Sequence, residues 1–182
     1  IPAMARGGVA TKLMWDWSAA GEMGTDGKSM LKKDASGRTI YDSKKGAFVL
    51  GENVIPEYMW FNGVVHYTLL GDKIDKHDGY TPINRFGGSP NDGKSRIWPV
   101  KLYRGVQPYD PVNQTLIVPH VYGTDAAAYA VSFNWKKAAA AGMADAGAPF
   151  SGKVDFIKTE MLWPLTHMVA PKDDALKCTQ CH

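Results

Sequence analysis

Cysteine is scarce in this sequence: 182 residues hold two, and both fall in the last five positions. Two thiols cannot build a Cys₄ zinc site. Charge of one dominant sign is also missing. Twenty-one Lys and Arg stand against 18 Asp and Glu, a formal charge of +3, so nothing marks nucleic acid or an anionic membrane as a partner. No apolar run approaches the roughly 18 residues of a spanning helix, so membrane insertion is not expected. There is no G-x-x-x-x-G-K-[ST] and no G-x-G-x-x-G after a strand, which leaves nucleotide binding without support. Internal repeats are absent, and the one biased tract is a run of alanines. Hydrophobic residues are not lacking. At 45%, with 21% charged, they are ordinary for a globular protein and permit a core.

The length suits one unit. Residues 1 to 46 read as mostly loop around an anchor, Leu13-Met14-Trp15-Asp16-Trp17. Asp34-Ala35-Ser36-Gly37-Arg38 is a turn signal, with Thr39-Ile40-Tyr41 as a short strand beyond it. Asn62-Gly63 lies between Tyr58-Met59-Trp60-Phe61 and Val64-Val65-His66-Tyr67-Thr68, which predicts a β-hairpin. Residues 71 to 114, punctuated by Gly87-Gly88-Ser89-Pro90, Asn91-Asp92-Gly93 and Pro99, Pro108 and Pro111, read as a long loop that wraps something. Leu116-Ile117-Val118 suggests a short strand. A helix is predicted from Ala126 to Ala141, capped by Thr124 or Asp125 and stopped by Gly142. A second, Asp173 to Gln180, would carry the cysteines.

Cys178-Thr179-Gln180-Cys181-His182 has the C-x-x-C-H form of covalent haem attachment. Each thiol adds across a vinyl group to make a thioether, the two-residue spacer matches the vinyl separation, and the next His lies under the iron as proximal ligand. A disulfide, a zinc half-site or a thioredoxin-like pair are the alternatives. A redox pair is not normally followed by His in this setting, which favours haem c. Covalent haem in turn implies export to a periplasmic or extracellular compartment.

Four other histidines could face an iron. His120, in Leu116-Ile117-Val118-Pro119-His120-Val121-Tyr122-Gly123, and His167, in Trp163-Pro164-Leu165-Thr166-His167-Met168-Val169-Ala170-Pro171, both sit on apolar, proline-stiffened stretches. A core His bonded to a carbonyl would be the usual reading there; the haem motif shifts the balance towards axial ligation for both. His66 in the expected hairpin is a weaker candidate, and Met168 is a thioether alternative to His167. His77 lies among polar residues and reads as solvated. Asp72, Asp75 and Asp78, three residues apart, could offer oxygens to Ca²⁺. They lack the order of an EF-hand loop, which favours a solvated acidic turn.

Across nearly its whole length the chain resembles the octahaem tetrathionate reductase family of multihaem c-type cytochromes. The blocks that carry the likeness include Ala5-Arg6-Gly7-Gly8, Trp15-Asp16-Trp17, Asn53-Val54-Ile55-Pro56-Glu57-Tyr58, Ile83-Asn84-Arg85-Phe86, Arg96-Ile97-Trp98-Pro99 and Trp163-Pro164-Leu165-Thr166-His167 running into the haem motif. The resemblance implies a multihaem cytochrome c fold: loop-rich, with few short helices plus the β-hairpin, packed around haems. Residues 1–182 would then be one segment of a larger chain, with its haem motif at 178–182 and further haems attached elsewhere. It implies reduction of small oxyanions or nitrogen compounds such as tetrathionate, nitrite or hydroxylamine, the substrate-binding haem lying outside these residues. His120 and His167 would be distal ligands, and the partners would be haem-bearing parts of the same protein, redox proteins and a small inorganic substrate. A carrier or conducting-filament subunit with no substrate site is the alternative.

Overall fold

The computed structural model describes residues 3–5, 9–74 and 78–166. Its organising element is a long strand where the sequence predicts a loop. In chain order the strands are β1 (Thr11–Asp16), β2 (Leu31–Lys33), β3 (Thr39–Asp42), β4 (Gly46–Gly51), β5 (Glu57–Phe61), β6 (Val65–Tyr67), β7 (Thr81–Pro82), β8 (Asn84–Phe86), β9 (Arg96–Asp110) and β10 (Thr115–Leu116). Two helices follow, α1 (Tyr129–Ser132) and α2 (Trp135–Asp145), and then β11 (Asp155–Pro164). One sheet runs β2-β3-β4-β1-β9-β11-β7, with β5 and β10 also paired to β9, and β6 and β8 form a separate ribbon.

The 15-residue β9 corrects the expected loop at 71 to 114. One edge pairs antiparallel with β11 from Val100 to Tyr109. The other edge is shared by three short partners: β5 over Arg96 to Val100, β1 in parallel over Arg104 to Val106, and β10 at Tyr109 and Asp110. Proline cannot donate to a ladder and is confined to places where pairing lapses. Pro99 lies just past the last β11 pair and Pro108 lies in the gap between β1 and β10. Both keep their carbonyls in use, accepting from the Leu165 and Ile117 amides at 3.1 and 3.0 Å.

The expected hairpin at Asn62-Gly63 is also corrected. The turn exists, with Gly63 at φ +93°, but its arms diverge, β5 pairing with β9 and β6 with β8. Hairpins form elsewhere, at β3-β4, β9-β10 and β2-β3, and in the last Asp34 N–H donates to Arg38 O and Gly37 N–H to Asp34 O, both at 2.9 Å.

The single helix expected from Ala126 is broken in two. Phe133 takes a left-handed conformation at φ 50°, and Asn134 starts α2 afresh, its side chain accepting from the Lys137 amide. Gly142 lies inside α2 rather than at its stop. The helix buries Ala138, Ala139, Gly142 and Met143, and a core of Ile117, Ala139 and Met143 fills out with Ala148, Phe150 and Val154. A second core joins Ile74, Tyr109 and Ile157. A row of rings joins β1 to the helices: Trp15 stacks on Trp17 at 4.3 Å, Trp17 meets Trp135 edge-on at 6.0 Å, and Trp135 stacks on Tyr129 at 3.9 Å. The sequence places an anchor at Trp15 and Trp17; the fold extends it across to α2.

Candidate functional site

The backbone of His120 is fixed before its ring is considered. After β10 the chain runs along α2, where the His120 amide donates to Ala138 O at 2.9 Å and the Val118 amide to Met143 Sδ at 3.2 Å. The chain then turns, so that the amides of Tyr129 and Ala130 donate back to the carbonyls of His120 and Val121 at 3.0 and 2.9 Å. A segment clasped on both sides holds a side chain at a set angle, as a metal ligand requires.

The ring itself lies against Asp125, with His120 Nε2 and Asp125 Oδ2 2.8 Å apart. The other Asp125 oxygen accepts from the Ala127 and Ala128 amides at 2.8 and 3.2 Å. Asp125 therefore caps a turn rather than the predicted helix. The hydrogen bond from His120, aided by the Ala127 amide, holds its carboxyl down at about 2. Gly123 makes the pair possible, since a Cβ there would stand 2.6 Å from Asp125 Oδ2 and 2.9 Å from His120 Nε2. Among the described residues Nδ1 of His120 has no hydrogen-bond partner. Metal-bound histidines commonly give their second nitrogen to a carboxylate; here Asp125 holds Nε2, so ligation through Nε2 would require Asp125 to let go.

The other sequence candidates fall differently. Cys178, Cys181, His182, His167 and Met168 lie outside the described residues, as do His77 and Asp75. His66 is exposed on β6, opposite Arg85, and is not brought near His120 by any shared element. Asp72 accepts from the Leu69 amide at 2.8 Å, closing its own turn, and among the described residues no group of His, Cys, Asp and Glu is arranged to hold a metal ion. Sequence reasoning missed Asp125 as the His120 partner. It also missed a cleft of about 450 Å³ that Tyr122, two residues past His120, shares with Lys12, Trp15 and Lys45.

The C-x-x-C-H at 178–182 is the attachment pattern of a c-type cytochrome. The model of the bacterial cytochrome c family ("Cytochrome c bacterial") matches residues 12–182, and the chain belongs to that family. Its fold is that of part of a multihaem cytochrome: it matches the crystal structure of octahaem cytochrome c from Shewanella oneidensis with a TM-score of 0.85 and 38% identity, covering 100% of this chain and 41% of that one. The chain thus spans about two-fifths of the length of that relative. No curated protein matches it. Among the described residues no helix is long and apolar enough to cross a membrane.

Proposed function

We propose that this chain is a segment of an exported, periplasmic multihaem c-type cytochrome that reduces small oxyanions or nitrogen compounds such as tetrathionate, nitrite or hydroxylamine. The observation that carries the reading is the likeness of the whole of this chain to 41% of the octahaem cytochrome, at 38% identity, joined to the C-x-x-C-H at 178–182. Cys178 and Cys181 would hold one haem c through thioethers, with His182 as proximal ligand. That haem would supply reversible one-electron transfer. His120 and His167 would serve as distal ligands to haems of the parent chain, and Asp125 would keep the His120 ring in one orientation. Redox proteins would donate the electrons, and the substrate would bind at a haem outside these residues.

The test is made on the full-length protein. Its mass counts the covalent haems, and extraction of the denatured protein with acidified organic solvent should leave all of them on the polypeptide; free haem in the extract would sink the attachment. The reduced protein mixed with tetrathionate, nitrite or hydroxylamine should reoxidise in a concentration-dependent way. If none of these oxidises it while a partner cytochrome does, the chain belongs to a carrier.

A further inference from the structure

Two lysines from separate parts of the sheet line one cleft, and a third stands close enough to repel one of them. Lys12 comes from β1, Lys45 from the turn between β3 and β4, and Lys101 from β9. The Lys12 ammonium sits 3.8 Å over the Trp15 ring and 4.1 Å over Phe48. Among the described residues it has no carboxylate partner. Lys101 donates to the Thr11 hydroxyl at 2.6 Å rather than to an acid. The carboxylate in the cleft wall is Asp42, 3.8 Å from Lys45 and already accepting from the Lys44 amide at 2.9 Å. Two ammonium groups, Lys12 and Lys45, thus line the cleft with one acid, and Lys101 adds a third positive charge nearby. Burial, then repulsion from Lys45 and Lys101, pulls the Lys12 pKa down.

The aromatic contacts account for where Lys12 points, but they do not account for gathering like charges. Such a gathering costs energy that a bound anion returns, and the ring wall strengthens the attraction by keeping water from one side. We infer that this cleft is an anion site, taking an oxyanion or carboxylate between the Lys12 and Lys45 ammonium groups, with the Thr39 and Tyr122 hydroxyls at its rim. The anion comes either from solution or from a carboxylate that the parent chain itself carries, such as a haem propionate.

The experiment is calorimetric titration of the full-length haem protein with sulfate, at an ionic strength held constant with chloride. Sulfate from solution should bind wild type, weaken at least tenfold in Lys12→Met, and stay within about threefold in Lys12→Arg, because a charge-assisted bond is lost in the first and kept in the second. If a carboxylate of the parent already fills the cleft, wild type takes no sulfate, but Lys12→Met moves the midpoint potential of one haem downward while the exposed control Lys28→Met moves none. Sulfate binding that is indifferent to Lys12→Met would overturn the inference. So would wild type that ignores sulfate together with a Lys12→Met protein whose potentials are unchanged.

Discussion

The residue with the most to hold is Asp110, fully buried at the end of β9. Its carboxylate accepts from the Val112 and Asn113 amides at 3.0 Å each, the Asn113 side chain at 3.1 Å, and the Ser151 amide and hydroxyl at 2.7 Å each. Burial alone would raise its pKa, but the hydrogen bonds from Asn113, Ser151 and Val112 outweigh it and the value is lowered. A lowered folded pKa adds stability that is present above the ordinary carboxylate value of about 4 and lost as pH falls through the folded one. Asp110→Ala leaves those donors unpaired at a cost of about 3 kcal/mol. Amide exchange at Val112, Asn113 and Ser151 should therefore quicken roughly 100-fold at pH 7, and the gap between variant and wild type should narrow as pH drops below about 4. Equal protection in both proteins would show that the cluster is not held by this charge.

Among the elements, α2 and the segment before His120 are pressed together at Gly142. A Cβ there would lie 2.2 Å from Val118 O, 2.6 Å from His120 N and 2.7 Å from the Pro119 carbonyl carbon, all backbone atoms that cannot turn aside. Gly to Ala inside a helix ordinarily stabilises by about 1 kcal/mol. Here Gly142→Ala should instead destabilise by about 1–3 kcal/mol, lowering the melting temperature and loosening the His120 amide in exchange. A melting temperature at or above wild type would mean the two elements can part without loss. Elements like these were only partly legible in the sequence. The turn between β2 and β3 and the strand after it were readable because Asp34 and Gly37 meet needs local to the turn, whereas β2 itself was not. Asn62-Gly63 marked a turn correctly, but turn chemistry does not say which strands its arms will pair with. Strand β9 was hidden because Pro99 and Pro108 look like breakers until their places beside gaps in the pairing are known. His120 stood out as a lone histidine on a stiff apolar segment, whereas the Lys12 cleft draws on residues 12 to 122 and leaves no local pattern.

At the scale of the molecule, the sheet is broad and its core thin. Among the described residues, each of the two buried hydrophobic clusters contains three buried residues, while one face of the sheet stays open. Cross-strand register sets Trp60 beside Ile97, Tyr58 beside Pro99 and Trp163 beside Lys101 on the same side of β9. Trp60, Ile97, Tyr58 and Trp163 are 39%, 60%, 53% and 51% exposed. An apolar patch of that kind is a liability for a free chain. Ordering each residue costs about 1–2 kcal/mol of backbone entropy, and the burial that offsets it is worth only about 25 cal/mol per Å² of apolar surface. Residues 1–182 expressed alone, without haem, should therefore bind a hydrophobic dye, self-associate at micromolar concentration and melt over a broad range. The double variant Ile97→Lys, Trp163→Lys should reduce dye binding and association by breaking the patch without touching either core. Because β9 ties five strands together, local exchange protection along Arg96 to Asp110 is expected even so. A monodisperse, dye-free chain with a sharp cooperative transition would show that the thin core suffices and that the open face is ordinary surface.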